Sequence, residues 1–251
     1  MSRLGRRRER GRLWPASIAL AAVAVVALVV ALVVVPARRA AAAVSCTFDG
    51  VQTDTVTSTS SSVTFSRNVD DLDVNGTACG NVNTVTRVNV DLGAVNSGFL
   101  TLDFGGGQFA SDANPVAEIN FQVTNMGPGL RVIIEGTSGP DKFAVGDRFL
   151  AGTSVTGIDL NGFADAASPG EDLVLHGRAG EIGLSGDDGP DVLTGQGTGT
   201  PLSHPTSTNM VLNDGRGADT VSGGNGNDII GPQEGPDAGD VFSGGAGFDF
   251  I

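Results

Sequence analysis

Residues 214–251 read Asp-Gly-Arg-Gly-Ala-Asp-Thr-Val-Ser, then Gly-Gly-Asn-Gly-Asn-Asp-Ile-Ile-Gly, and after a short insertion Gly-Gly-Ala-Gly-Phe-Asp-Phe-Ile. They follow the template Gly-Gly-x-Gly-x-Asp-x-U-x, with U a large apolar residue; Gly223–Gly231 meets it at every fixed place, and the first opens on Asp214 instead of glycine. A fixed short period marks a repeated supersecondary unit that buries its apolar face only by stacking on its neighbours. Glycine reaches turn conformations at little steric cost. The residues after each aspartate form a short strand whose eighth place (Val221, Ile230, Phe242) faces inward. One nonapeptide is therefore one turn plus one strand.

The turn has the chemistry of a hard-cation site. Calcium takes six to eight oxygens at about 2.3–2.6 Å from carboxylates, carbonyls and water. A glycine-rich turn points successive carbonyls into one small space, and the sixth-place aspartate adds charge. The segment resembles the RTX (haemolysin-type) repeats of secreted calcium-binding proteins. That resemblance implies a right-handed parallel β-roll in which two nonapeptides make one coil, with Ca2+ held between turns two repeats apart. The spacing agrees: Asp219 to Asp240 and Asp228 to Asp249 are each 21 residues, two repeats plus an insertion of three. The metal ligands implied are Asp219 paired with Asp240, and Asp228 paired with Asp249. Gly217, Gly223, Gly224, Asn225, Gly226, Asn227, Gly244, Gly245 and Gly247 supply the turn backbone.

The register extends upstream. Gly136–Phe143 fits with Asp141 in the sixth place, and Gly186–Leu193 fits with Asp191. Gly170–Val174 keeps the second half of the motif with Asp172, while Gly177–Ser185 puts Ile182 where aspartate belongs. The spacing pairs Asp172 with Asp191 on one side and leaves Ile182 alone on the other. Residues 197–209 break the register and are expected to form a surface loop.

Residues 1–43 read as a targeting segment. Six arginines up to Arg12 precede an uncharged run from Ile18 to Val35, and Ala41-Ala42-Ala43 has the form of a cleavage site. The run is 18 residues, so an uncleaved signal anchor stands beside a cleaved signal peptide. Either way the rest is exported, secreted or held on the outer membrane face. Cys46 and Cys79 are the only cysteines, and export with an even count points to one disulfide.

Residues 44–251 carry 7 basic and 27 acidic side chains, a net charge of −20. This excludes phosphate-based nucleic-acid binding and suits divalent cations. From Val85 the chain alternates in short runs, Thr86–Leu92, Phe99–Phe104, Glu118–Val123 and Leu130–Glu135, broken by glycine. Val74-Asn75-Gly76-Thr77 carries the signal of a tight hairpin turn and also a glycosylation sequon. His176 and His204 are isolated, and no protease or lipase motif is present.

The fold class expected is all-β: a β-rich segment over 44–130, then a right-handed parallel β-roll or β-helix over 131–251. The function expected is non-enzymatic calcium binding that completes the fold. The alternative is the truncated scaffold portion of a larger secreted enzyme or surface adhesin. Substitution of Asp54, outside the repeats, is expected to leave calcium binding and the calcium-dependent melting temperature unchanged.

Overall fold

The computed structural model describes residues 44–50, 52–111, 114–150, 153–160, 172–199, 202–231 and 237–251. The expected targeting segment, residues 1–43, lies outside them; Ala42–Ile251 form one compact unit. The described residues are all-β, with no helix among them.

β1 (Val44–Phe48) runs antiparallel to β2 (Thr53–Ser58), and β3 (Ser62–Asn68), β4 (Asp71–Val74) and β5 (Thr77–Asn81) pair antiparallel in turn. A disulfide joins Cys46 of β1 to Cys79 of β5, with Cα atoms 5.7 Å apart. Asn75 and Gly76 take φ of 51° and 75°, the two positive values an Asn-Gly hairpin turn requires. The Asn75 side chain accepts the Thr64 N–H at 2.8 Å and donates to the Ser62 carbonyl at 3.3 Å, so the sequon's asparagine is engaged in the turn.

β6 (Arg87–Asp103), β7 (Ala110–Ser111), β8 (Asn114–Glu118) and β9 (Asn120–Glu135) follow, and β10 (Lys142–Leu150) and β11 (Thr153–Asp159) form a long hairpin. The remaining strands are short: β12 (Leu173–Leu175), β13 (Glu181–Ser185), β14 (Val192–Thr194), β15 (His204–Pro205), β16 (Met210–Asn213), β17 (Thr220–Ser222), β18 (Ile229–Ile230) and β19 (Val241–Ser243). All but β7 and β8 belong to one large mixed sheet.

Three parallel ladders run through that sheet. The first joins β2, the start of β6, the start of β9 and β12. The second joins β3, the end of β6, the end of β9, β13, β16 and β18. The third joins β10, β14, β17 and β19. Alternation selects the buried set: Val88, Phe121 and Leu173 from the first, Leu102, Ile134, Ile182 and Leu212 from the second, Phe143 and Leu193 from the third, all at most 1 % exposed. Each such side chain contributes about 1.5–3 kcal/mol by leaving water. Edge-to-face ring contacts converge on Phe121 in the core, from Phe65 of β3 at 5.2 Å and from Phe109, just before β7, at 5.5 Å between centroids.

Two expectations change here. The boundary at 130/131 falls inside β9, and one hydrophobic cluster runs from Val56 to Ile230, so apolar packing crosses it without a break. The described part of residues 197–209 is more than a surface loop: Leu202, Thr206 and Thr208 are buried between more exposed neighbours, and β15 pairs with β10. The buried Asp147 carboxylate anchors them, accepting the Ser207 N–H and hydroxyl at 3.0 Å each and the Thr156 hydroxyl at 2.8 Å.

Candidate metal centre

Aspartates that precede the third ladder stack in a column. The Asp141 N–H donates to Asp191 Oδ1 at 2.8 Å, the Asp191 N–H to Asp219 Oδ1 at 2.7 Å and the Asp219 N–H to Asp240 Oδ1 at 3.0 Å. The turn aligns them because the strands that follow are in register, Lys142 with Val192, Val192 with Thr220 and Thr220 with Val241.

A second column precedes the second ladder. There Met210 N–H donates to Asp228 Oδ1 at 2.8 Å and Asp228 N–H to Asp249 Oδ1 at 3.0 Å. Upstream the column is apolar, because Ile182 pairs with Met210. Fifth-place asparagines add their own links: Asn209 Oδ1 accepts the Asn227 N–H and Asn227 Oδ1 the Phe248 N–H, each at 3.0 Å. Where this column lacks carboxylates, the Arg178 guanidinium donates to the Ser207 carbonyl at 3.2 Å. The structure thus brings together Asp219 with Asp240 and Asp228 with Asp249, as the spacing requires.

Burial is deep. Asp191, Asp219 and Asp228 are at most 1 % exposed and Asp141 is 7 % exposed. Oδ2 of Asp228 accepts the Gly224 N–H, and Oδ2 of Asp141 accepts the Thr137 N–H and hydroxyl. The Oδ2 atoms of Asp191 and Asp219 have no hydrogen-bond partner. None of Asp191, Asp219, Asp228 and Asp240 pairs with an arginine or lysine among the described residues. An unpaired buried carboxylate costs several kcal/mol or takes up a proton. Accordingly burial, reinforced by Asp141, Asp219 and Asp187, pushes Asp191 up to about 7. Burial likewise raises Asp219, with Asp240 and Asp237 adding to it, and Asp228, with Asp249 adding to it. Burial also raises Asp141.

Carboxylate oxygens of Asp214, Asp219 and Asp240 lie within 4.8 Å of one another. Asp214 is not among the ligands implied by the motif. It stands in the first place of its turn, where the template has glycine, so only the stacked geometry reveals it. Its carbonyl and Asp191 Oδ2 also close over Gly186, where a Cβ would collide with both. Gly223 is enclosed in the same way by the Gly244 carbonyl and Asp228 Oδ2, and Gly244 packs on Asp249 Oδ2. In the fourth place Gly217 has φ 145° and lies against the Gly189 carbonyl, so a side chain there would clash. Gly224, Gly226, Gly245 and Gly247 similarly approach carbonyls of the neighbouring turn, while Asn225 is exposed and donates its N–H to the Thr206 carbonyl.

Asp172 does not pair with Asp191. It precedes β12 on the first ladder, and its Oδ2 accepts the Leu160 N–H at 2.9 Å. The reason is topological: between Asp141 and Asp191 the chain also supplies β11, β12 and β13, so consecutive members of the first column are 50 residues apart there. The donor set fits a hard cation, being all oxygen, rich in carboxylate and including two buried oxygens, Oδ2 of Asp191 and of Asp219, with no hydrogen-bond partner among the described residues. Comparisons with family models, curated proteins and solved structures found no match.

Proposed function

We propose that this chain is an exported, non-enzymatic calcium-binding protein whose ladders wind as a right-handed parallel β-roll, completed by Ca2+ held between stacked turns. One observation carries the reading: the Asp141–Asp191–Asp219–Asp240 column buries Asp191 and Asp219 with one oxygen each unsatisfied. A divalent ion between successive turns would take those oxygens, bind turn carbonyls and offset the burial of charge, and the lesser repulsion, that raise the pKa values. Asp214 joins Asp219 and Asp240 at one such space, and Asp228 with Asp249 forms another in the second column. The Cys46–Cys79 bond supports export into an oxidising compartment, and residues 1–43 would serve as signal peptide or as anchor in the membrane.

The test is calcium titration of the exported protein by calorimetry, with circular dichroism in calcium and in chelator. Saturable heat and a gain of β-structure or of melting temperature are expected. Equal melting temperatures in calcium and in chelator would leave the turns as ordinary glycine punctuation.

A further inference from the structure

Asp54 lies outside the repeats, yet it is as deeply buried as the column aspartates. It sits on the inward face of β2, 0 % exposed, and neither carboxylate oxygen has a hydrogen-bond partner. Phe48 of β1 is its antiparallel register partner and Val88 of β6 its parallel one. Gly80 of β5 lies so close to Oδ2 that a Cβ there would collide with it and with Val85. The disulfide ties the strands on either side, since Cys79 adjoins Gly80 and Cys46 lies on β1. An acid is thus sealed in an apolar chamber under a covalently tethered cap.

A neutral carboxyl tolerates that chamber far better than a charged one, because no hydrogen-bond partner among the described residues offsets the loss of hydration. We propose that Asp54 makes the N-terminal cap, β1 with the β4–β5 hairpin, a proton-operated latch: closed on the neutral acid and loosened when the acid ionises. The disulfide keeps the opened strands tethered, which makes the movement local and reversible.

Among the described residues the surroundings supply no counter-charge. Asp49, just past β1, adds negative charge. β5 carries no titratable side chain apart from the bonded Cys79, and β4 contributes only Asp71 and Asp73. On β6 the nearest basic group, Arg87, is exposed and opposes Thr53. Burial first and Asp49 second push Asp54 up to about 6. The folded value lies above the unfolded one, so the closed cap is favoured at low pH, and that preference is lost as pH rises through about 6. The rise from the ordinary aspartate value of 3.8 corresponds to about a hundredfold in the closed–open equilibrium.

The test uses the whole calcium-loaded protein and does not depend on the calcium reading, since it is repeated in chelator. Carbon-13 NMR follows the Asp54 carboxyl, and hydrogen exchange gives protection factors, corrected for intrinsic rates, for amides of β1, β4 and β5. Titration near pH 6 is expected, with cap protection falling about tenfold between pH 5 and pH 8, the part of the hundredfold that lies above pH 5. Asp54→Asn should remove that fall. Titration in the ordinary carboxylate range, or equal cap protection at both pH values in the unmutated protein, would overturn the latch, whether or not the variant folds.

Discussion

Asp219→Asn separates a metal site from a structural turn by the sign of its effect. The substituted amide keeps an oxygen able to accept the Asp191 N–H, now accepted at 2.7 Å, and leaves the backbone N–H of the same residue free to donate to Asp240 at 3.0 Å. What the change removes is a charge that burial, Asp240 and Asp237 all disfavour. In chelator, therefore, the variant should melt no lower than the parent, and higher if the carboxylate is ionised. On the proposed reading, in calcium the same change replaces a ligand oxygen with an amide nitrogen that repels the ion. Losing one site at a hundredfold excess of calcium over Kd costs about 2.7 kcal/mol. For a unit of this size that is roughly 5–11 °C in Tm. Asp219 borders two inter-turn spaces, so the upper part of the range is expected. Calorimetric melts of both proteins in calcium and in chelator provide the four numbers. A drop of equal size in both conditions would show that the carboxylate matters only as a turn acceptor, and the calcium argument would fail.

Other perturbations test the architecture. Leu193→Ala, at a 0 % exposed position of the third ladder, should cost about 2–5 kcal/mol in denaturant unfolding. Opening the disulfide with Cys46→Ala and Cys79→Ala together should cost about 3–4 kcal/mol for a closed loop of this length, read from the same melts. Phe248→Ser, at a side chain 90 % exposed, should stay within about 0.5 kcal/mol. Gly217→Ala should be strongly destabilising, because φ is 145° and the Gly189 carbonyl occupies the space a Cβ needs.

The terminal repeats are legible because local chemistry and long-range pairing have the same period there. Val211 pairs with Ile229 across 18 residues, two nonapeptides, and Thr220 pairs with Val241 across 21. Leu193, Leu212, Val221 and Ile230 are buried as their eighth-place positions require, with Phe242 packed against the core and Val192 half-buried at its border. Upstream the period dissolves. A third strand enters each circuit and the β10–β11 hairpin lies inside one of them, so spacing alone does not place Asp172. Phe99–Phe104 and Leu130–Glu135 read as separate strands, but they are the ends of β6 and β9, whose ladder continues past register shifts between Asp91 and Ser97. Asp54 escapes the sequence for another reason. Its β2 neighbours alternate in burial, and nothing in Thr-Asp-Thr marks the aspartate, rather than the threonines, as facing inward.

The first aspartate column makes one kind of link across very different lengths of chain: 50 residues from Asp141 to Asp191, 28 from Asp191 to Asp219 and 21 from Asp219 to Asp240. Loop closure grows only logarithmically with length, so the longest of these costs about 0.8 kcal/mol more than the shortest. What must be kept constant is the turn and its three following residues, not the excursion between one turn and the next. The chain is thus suited to act as a grafting host. Foreign sequence inserted between Gly231 and Asp237 lengthens a connection whose span already departs from the strict repeat, and the docking of β19 on β17 should survive it. A library of inserted loops displayed there would be read out on a scaffold whose own register is fixed by backbone amides and carboxylates.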